Sequence, residues 1–351
     1  MLMPEVTSQM LLPRRRLGRT NLQLSVLGVG GWLGLLNEPA IPGAQFTVLA
    51  APWDNILADR AAKEAAAIRA VRRAVELGIN FFDTAPMYGK GEAERHLGLG
   101  LKALSSEERA RVFVSTKVGT HPERPHRYEA DSVRWSLEHS MRVLFTDHLD
   151  VVHIHYLLND EHMDQILEPG GAVEALEDLK AQGVIGAISL GSRPHRFMRR
   201  AIESGRFDAV MSTYDYNLIR ASAEPIIKLA AKYGVGMINA SPYNAGLLAG
   251  VDPDLAAARR PPDLAGDLDR ARALWSWSQE RQVDLGSVAM QYSLRDERFA
   301  VTLAGPRDAV EVENNILHAR TPLPTGIWDD LDTFMKTLGP WTPGGEAGVL
   351  A

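Results

Sequence analysis

The stretch Ile-Asn-Phe-Phe-Asp-Thr-Ala-Pro-Met-Tyr, residues 79–88, gives the strongest indication of the fold of this chain and of its chemistry. Its first residues are typical of a strand buried on both faces, and such a strand normally stays apolar to its end. This one closes on the carboxylate of Asp83, and Tyr88 follows five residues later. A polar ending of this kind indicates that the strand opens onto a functional site.

Two later strand-like runs also end in a functional side chain. Residues 112–117 close on Lys117, and residues 151–155 close on His155. Because the carboxyl ends of parallel strands meet at one edge, three such strands in succession predict a shared opening. An Asp, a Tyr, a Lys and a His brought together there form a site for proton transfer.

A unit of helix, glycine, apolar strand and loop recurs about eight times in the chain. In the first unit, a helix over 60–77 ends at Gly78, ahead of a strand over 79–83. Strands that alternate with helices of this length pair in parallel, and about eight units close a barrel. We therefore predict an α/β fold, a (β/α)8 TIM barrel, with a doubly wound open sheet as the competing architecture.

The segments outside this repeat define the organisation of the chain. Residues 14–25 alternate around a Gly/Asn turn and predict an N-terminal β-hairpin. Two Pro-containing stretches interrupt the repeat and are expected on the C-terminal face of the barrel, where barrel enzymes carry their variable loops. The prediction is a single domain over 1–351, with a core at about 14–320, loop insertions at 36–59 and 251–266, and a tail at 340–351.

Composition excludes several classes of protein. The 351 residues are 45% hydrophobic and 23% charged, and the net charge of −6 offers no basic surface for nucleic acid. No apolar run is long enough to span a bilayer, and the N-terminus lacks the pattern of a secretory signal. The absence of cysteine excludes disulfides and thiolate sites. We expect a cytoplasmic protein that acts on a small molecule, of undetermined oligomeric state.

The four polar residues have a definite chemistry if they meet. A lysine cation next to a phenol favours phenolate, so Lys117 is expected to lower the pKa of Tyr88, while Asp83 holds the lysine in place. Tyr88 can then exchange a proton with an alcohol or carbonyl oxygen, and His155 supplies a hydrogen bond that orients that oxygen.

Each of these residues also has an ordinary interpretation. Asp83 precedes Thr-Ala-Pro and can be a turn former, and a lone lysine at a strand end is usually solvated. His153 and His155 alternate onto the same face, so one of them can be a core histidine, and His155 lies nearer the rim. The convergence of four such residues at successive strand ends favours the functional interpretation.

Other motifs carry less weight. The glycines at 28, 30 and 31 resemble a dinucleotide fingerprint, but Leu33 occupies the third glycine position. The His-Ile-His sequence lacks a third zinc ligand at a plausible spacing, so no metal site is predicted. Ser189 and Ser192 lie in no Gly-x-Ser-x-Gly elbow, which leaves serine hydrolysis without support.

The motifs together resemble the aldo-keto reductases. The resemblance implies a (β/α)8 barrel that binds a nicotinamide dinucleotide in extended form, without a Rossmann domain. It assigns the catalytic tetrad to Asp83, Tyr88, Lys117 and His155, with Tyr88 as general acid in reduction or general base in oxidation. The segments that carry it are residues 78–89, 91–98, 114–119, 149–155, 238–248 and 303–315.

The same resemblance implies a cofactor site and a preference between NAD and NADP. Family members often have Ser-Asn where Gly191 and Ser192 stand, and an aromatic residue where Ala240 stands. Glu311 repels a 2′-phosphate and can accept from a 2′-hydroxyl, which favours NAD, whereas Arg307 has the opposite effect. The cofactor-binding residues implied are Gly31, Ser192, Ser241, Pro242, Tyr243, Gly246, Leu247, Gly305, Arg307, Glu311, Asn314 and Asn315.

Residues 238–248 look like the aldose 1-dehydrogenase branch of that family, which acts on fucose, galactose and related sugars, with pyridoxal dehydrogenases close by. We therefore expect NAD(P)-dependent oxidation of an aldose or similar alcohol. The alternatives are NADPH-dependent reduction of an aldehyde or ketone and, against the intact tetrad, a nucleotide-sensing regulatory subunit. The 36–59 insertion with Trp53 is expected to cover a substrate pocket lined by Trp32, or else to form a surface or oligomer contact.

Overall fold

A computed structural model describes residues 12–31, 33, 59–259 and 266–341, and in them eight parallel strands close into a barrel. This confirms the (β/α)8 architecture and excludes the open sheet. The strands in chain order are β1 (Arg14–Arg16), β2 (Gln23–Ser25), β3 (Leu27–Val29), β4 (Phe81–Asp83), β5 (Phe113–Val118), β6 (Thr120–His121), β7 (Arg124–Pro125), β8 (Leu149–His155), β9 (Ile185–Gly191), β10 (Ala209–Thr213), β11 (Gly236–Ala240) and β12 (Phe299–Ala304). The barrel runs β3-β4-β5-β8-β9-β10-β11-β12 and closes on β3.

Helices lie outside this barrel and connect its strands. They are α1 (Arg60–Glu76), α2 (Glu92–Lys102), α3 (Ser106–Arg109), α4 (Ala130–Leu144), α5 (Asp160–Leu167), α6 (Ala172–Ala181), α7 (His195–Glu203), α8 (Glu224–Tyr233), α9 (Pro253–Arg259), α10 (Asp267–Glu280), α11 (Leu285–Arg295), α12 (Ala309–Arg320) and α13 (Ile327–Thr337), with short 3₁₀ turns at Tyr88–Gly91 and Asn244–Gly246. Among the described residues, no helix is long and apolar enough to cross a membrane.

Helix α1 shows how the local sequence produces these boundaries. Its small and β-branched residues recur at helical spacing, so that Ala67, Ala70, Val71 and Ala74 form a fully buried stripe against the barrel. The helix ends at Gly78, whose φ of +88° lies in the left-handed region that favours glycine. The predicted end of the helix is therefore correct to within one residue.

The interior of the barrel is apolar at its N-terminal end and polar near its C-terminal rim. Its floor includes Phe81, Val151, Ala187, Met211 and Ile238, which pack into one cluster of buried side chains. Burial of each of these larger side chains stabilises the fold by roughly 1.5–3 kcal/mol. Above that floor the inward-facing positions become polar.

The predicted N-terminal hairpin is present as β1–β2, and it closes the N-terminal end of the barrel. Its antiparallel strands place Leu17 and Leu24 in the same interior cluster as the barrel floor. Gly18 has a φ of +51°, and a Cβ there would lie 2.4 Å from the backbone nitrogen of Gly236, so a larger residue would force the hairpin off. A site that receives a ligand must therefore open at the opposite rim.

Several elements were absent from the prediction. Helix α5 begins where the Asn159 side chain caps it by accepting from the backbone N–H of His162 at 2.9 Å. Helix α13 buries Ile327 and Leu331, and Trp328, Phe334 and Met335 pack against the same cluster. Its apolar residues recur at helical spacing, so the prediction overlooked an available signal. Strand β5 runs one residue beyond Lys117. Helices α3 and α9 and the β6–β7 hairpin are also additional.

Parts of the predicted organisation lie outside the described residues. These are residues 36–58 of the first insertion, residues 260–265 of the second, and residues 342–351 of the tail. The statement that residues 1–351 form a single domain therefore stays a prediction. Within the second insertion, the described part is the helix α9, which packs against α10.

Candidate active site

The structure brings Asp83, Tyr88, Lys117 and His155 together at the C-terminal rim of the barrel. Asp83 and His155 end β4 and β8, Lys117 is the penultimate residue of β5, and Tyr88 begins the 3₁₀ turn after β4. The parallel registers that align Asp83 with Ser115 and Lys117 with His153 place these strand ends side by side. The structure therefore places at one rim the four residues that the sequence predicted to share an opening.

Asp83 and Lys117 form a buried ion pair. The Lys117 Nζ donates to Asp83 Oδ2 and, at 2.8 Å, to the carbonyl of Thr84. Ser115 Oγ donates to the other carboxylate oxygen at 2.7 Å. Burial alone would raise the pKa of Asp83, but Lys117 and His153 hold that pKa well below its ordinary value. Burial likewise would lower the pKa of Lys117, which Asp83 and Tyr88 raise, so both groups stay charged.

Tyr88 lies against this pair, with the Lys117 Nζ 5.0 Å from its ring centroid and hydrogen-bonded to its hydroxyl. Part of the residue reaches solvent, yet burial among the strand ends raises the pKa of the phenol, and Lys117 offsets this increase only in part. The expectation that Lys117 would lower the pKa of Tyr88 below its ordinary value is therefore wrong. At neutral pH the phenol holds its proton.

His155 faces Tyr88 edge-on, with ring centroids 6.0 Å apart. Thr120 Oγ1 lies 2.9 Å from His155 Nδ1, and the Tyr128 hydroxyl donates to the carbonyls of His155 and Tyr156 at 2.9 Å each. Burial and the charge of Lys117 lower the pKa of His155 well below its ordinary value, so the ring is neutral. Thr120 and Tyr128 were missed in the sequence, because neither stands in a strand-end motif.

Two further residues enter the site that the sequence did not assign to it. His153, which was weighed as a core histidine, lies with its Nε2 at 3.4 Å from Asp83 Oδ1. Tyr214 follows β10 with a φ of +66°, and the Arg193 guanidinium lies 5.6 Å from its ring centroid. Tyr214 is the least of the groups that raise the pKa of Tyr88, after burial and Asp83. Its position after a barrel strand was the available signal.

The Aldo/keto reductase family profile matches residues 53–336, most of the chain. The chain belongs to the aldo/keto reductase family. The resemblance drawn from the motifs is thus confirmed. Membership of this family means that the protein is an oxidoreductase that acts on small molecules with a nicotinamide cofactor.

Individual relatives support the same assignment. The chain is 28% identical to pyridoxal 4-dehydrogenase of Microbacterium luteolum, over 91% of this chain and 96% of that protein. It is 29% identical to L-galactose dehydrogenase of Arabidopsis thaliana, over 86% of each. The holo form of the aldo-keto reductase AKR11C1 from Bacillus halodurans superposes with a TM-score of 0.67 at 24% identity, covering 92% of this chain and 96% of that chain, a likeness of fold.

The cofactor residues expected for a family member lie on the loops that follow β3, β9, β11 and β12 and on helix α12. Gly31 packs so closely on Tyr88 that a Cβ there would lie 2.2 Å from the tyrosine ring, which is sufficient reason for a glycine. Ser192 is buried, and its Oγ accepts from the backbone of Leu157 at 3.1 Å. Ser241 has a φ of +66° at the end of β11. These three line the same rim as the tetrad.

Tyr243 and Asn315 have their polar atoms engaged with each other. The Tyr243 hydroxyl lies 3.0 Å from Asn315 Oδ1 and 2.7 Å from His318 Nδ1, which ties the loop after β11 to helix α12. These contacts hold the loop after β11 against helix α12. On the same two loops and the start of α12 lie Pro242, Gly246, Leu247, Gly305 and Asn314, of which Pro242 and Leu247 are buried and Gly305 is exposed.

Arg307 and Glu311, which were expected to act oppositely on a 2′-phosphate, pair with each other. Glu311 accepts from the Arg307 backbone at 2.8 Å and from its Nε at 2.9 Å. Asp308 caps α12 by accepting from the backbone of Glu311 at 2.9 Å. The N-terminal end of this helix suits the phosphates of a dinucleotide. The residues present thus fit a nicotinamide cofactor. Trp32 and Trp53 lie outside the described residues.

Proposed function

We propose that the chain is an NAD(P)-dependent dehydrogenase that oxidises an aldose or a similar alcohol, with Tyr88 as the proton carrier. The observation that supports this most directly is the buried Asp83–Lys117 pair set against Tyr88 at the same rim as His155. The relatives named for dehydrogenation of a sugar and of pyridoxal support the substrate class.

Each residue of the site has a role that follows from its contacts. A bound nicotinamide accepts or supplies the hydride. Asp83 fixes Lys117, and Lys117 keeps its charge next to the Tyr88 oxygen, where it stabilises phenolate as the proton leaves. When Thr120 donates to Nδ1 of neutral His155, the ring proton lies on Nε2, which can then donate to the substrate oxygen and orient it.

The raised pKa of Tyr88 has opposite consequences for the two directions. A phenol that holds its proton at neutral pH is ready to donate to a carbonyl oxygen, and this favours reduction of an aldehyde or ketone as the second candidate function. Oxidation needs the phenolate, so its rate should increase toward alkaline pH. The anomeric hydroxyl of an aldose is more acidic than an ordinary alcohol, which reduces the demand on that base.

For the cofactor we propose NAD in preference to NADP. The support is the Glu311 carboxylate, which stands at the start of α12 and already occupies Arg307. A guanidinium engaged in this way is less available to a 2′-phosphate.

A screen tests the proposal. NAD⁺ and NADP⁺ are incubated with a panel of aldoses and aromatic alcohols, and NADH and NADPH with the matching carbonyls, while absorbance of the reduced cofactor is followed. We expect turnover of at least one aldose with NAD⁺, increasing with pH, and its loss in Tyr88→Phe. Tyr292→Phe, which alters a partly buried tyrosine outside the site, is the matched control. Turnover that survives in Tyr88→Phe would overturn the assigned roles, and bound nucleotide without turnover of any substrate would indicate a sensor.

A further inference from the structure

We propose that His153 is a positioning residue of the hydride-transfer site, which holds the Asp83 carboxylate in the orientation that fixes Lys117. This inference rests on the proposed function, because Lys117 matters only if Tyr88 carries the proton. It assigns a fifth residue, beyond the tetrad, to the machinery of this chain.

The fold places His153 inside the barrel. On β8 it shares a face with Val151 of the interior cluster, since alternate residues of a strand face the same side. In the register it lies opposite Lys117 on one side and Ser189 on the other. Its side chain is fully buried. His153 therefore belongs to the polar layer directly above the apolar floor.

The two oxygens of Asp83 have different partners. Oδ2 accepts from Lys117, while Oδ1 accepts from Ser115 at 2.7 Å and lies 3.4 Å from the Nε2 of His153. The terminal torsion of an aspartate is broad, so a carboxylate held at one oxygen can rotate. Ser115 and His153 on the Oδ1 side restrict that rotation and keep Oδ2 directed at Lys117.

The imidazole is poorly satisfied for a residue that serves only packing. Among the described residues, neither ring nitrogen makes a hydrogen bond of good geometry, and the same holds for the Ser189 hydroxyl next to it. The distance of 3.4 Å exceeds the usual range for an N–H donor, so the contact with Asp83 is mainly electrostatic. A buried polar group left in this state is costly, and an apolar side chain would suit the floor below better. The free energy lost by burying this polar side chain indicates that His153 is retained for its contact with Asp83.

The titratable groups around His153 define what it contributes to the site. Asp83 faces it from β4, Lys117 from β5 and His155 from its own strand, while Tyr88 lies above them. Burial lowers the pKa of His153, Asp83 raises it and Lys117 lowers it, and the result is a pKa below the ordinary value. A neutral ring can turn its Nε2 proton to Asp83 without adding a second cation that would compete with Lys117 for the carboxylate.

Loss of His153 should act through this chain of contacts. If Asp83 rotates, Lys117 is held less firmly and stabilises the Tyr88 phenolate less, so the pKa of Tyr88 increases further. The rate of alcohol oxidation then falls at neutral pH, and the alkaline rise of the pH profile moves to higher pH. KM for the cofactor should stay unchanged, because His153 lies below the rim.

The test compares kcat, KM and the pH profile of oxidation in four variants. In His153→Leu we expect kcat to fall by about 10- to 100-fold, with the alkaline limb shifted upward. In His153→Gln, whose amide can reach the position of Nε2, we expect recovery to within about 3-fold of the parent, whereas His153→Asn, whose amide falls nearer Nδ1, should stay impaired. Ser189→Ala, in the same layer without an Asp83 contact, is the matched control and should leave kcat unchanged.

The outcomes separate this inference from the proposed function. A folded His153→Leu with the kcat and pH profile of the parent would overturn the role of His153 and leave Tyr88 as the proton carrier. If His153→Leu does not fold, equal activity of the Gln and Asn variants would overturn it. Activity that survives Tyr88→Phe would instead remove the proposed function itself.

Discussion

The C-terminal end of the barrel holds two buried ion clusters that differ in their cations. In the first, Asp83 pairs with Lys117 beside Tyr88. In the second, which we call the Asp215 cluster, the fully buried Asp215 accepts from Arg193 at 3.1 Å and His195 at 3.3 Å, and it lies 3.5 Å from Arg220. Arg220 also donates to Asp267 at 2.6 Å, and Asp267 accepts from Asn244 and Trp341 as well.

The two clusters differ in the elements that carry them and in the kind of cation, and this difference bears on which of them can take part in catalysis. The first cluster stands on strands whose register fixes its position, and its lysine is a compact charge directed at a phenol that can release a proton. The Asp215 cluster stands on loops after β9, β10 and β11, and its arginines never lose their protons. It joins loops to one another through several hydrogen bonds. Burial of charge is common to both, but the first cluster sets its lysine against Tyr88, the phenol proposed to carry the proton.

The largest effect on kcat is expected from a substitution that disrupts the first cluster. Lys117→Met removes the cation beside Tyr88 and leaves Asp83 buried without its main partner. We expect kcat to fall by about 10³-fold and the free energy of unfolding by about 3–5 kcal/mol. Arg193→Met is the matched change in the Asp215 cluster, where Asp215 keeps two other partners, and its effect on stability should be smaller. A Lys117→Met enzyme within tenfold of the parent kcat would contradict the assignment.

The second substitution disrupts the Asp215 cluster and should lower the free energy of unfolding without lowering kcat. Arg220→Met takes a fully buried guanidinium away from Asp215 and Asp267, and we expect a loss of about 3–5 kcal/mol in urea unfolding. The kcat of the folded fraction should stay within about 3-fold of the parent, since no proton moves there. Arg134→Ala, which breaks an exposed pair with Asp178, should cost less than about 1 kcal/mol. Equal losses for the two variants would refute the distinction.

Glu94 sharpens the comparison, because it is a buried carboxylate whose hydrogen bond comes from a neutral partner. It lies on α2, and Thr116 Oγ1 donates to it at 2.5 Å. Burial raises its pKa to about 7, with Thr116 and Lys117 acting in the opposite direction. A carboxyl whose pKa is raised on folding stabilises the protein most below its ordinary value of 4.5, and this stability is lost as pH rises through about 7.

Glu94→Gln should remove this pH dependence. Between pH 5 and pH 8 the parent should lose roughly 3 kcal/mol more of its free energy of unfolding than the variant does. Urea unfolding at the two pH values measures it, with Glu138→Gln on α4 as a control for a glutamate whose residue is exposed. If the free energy of unfolding changed with pH in the same way in the parent and in Glu94→Gln, the ionised carboxylate would not be destabilised in the fold, which would contradict the prediction.

The smallest effect concerns the exposed pair at the start of α12. Glu311→Gln frees the Arg307 guanidinium, and we expect the ratio of kcat/KM for NADP⁺ to that for NAD⁺ to increase about tenfold, or about 1.4 kcal/mol. Glu313→Gln, on the same helix but paired with Arg73 at 2.6 Å, is the matched control and should leave the ratio unchanged. A ratio unaffected by either change would leave NAD preference without a structural basis.

Sequence patterns predicted the fold correctly and predicted that Asp83, Tyr88, Lys117 and His155 would meet, for physical reasons that are local. Alternation of apolar strands with helices that end at glycines implies parallel pairing, and eight repeats close a barrel. Strand ends that finish in Asp83 and His155 must then share a rim. The family motifs carried the same information, and they were confirmed. A short element such as α5 lacked a signal strong enough to predict, whereas the helical spacing of the apolar residues of α13 was overlooked.

Contacts between distant segments were beyond reach of those patterns. Thr120 holds His155, and His153 faces Asp83, only because hairpin and strands converge in three dimensions. The direction of the Tyr88 pKa was predicted wrongly for the same reason. A lysine nearby lowers it, but the burial that raises it comes from atoms on several strands and loops, and no single segment reveals their number.

The barrel, the family and the meeting of four residues at the rim could be predicted from the chain, because periodicity and strand-end chemistry are local properties. The pairing of the charges, the depth at which each is buried and the histidine that faces Asp83 became evident in three dimensions. These depend on desolvation and on distances between atoms that the chain brings together from far apart.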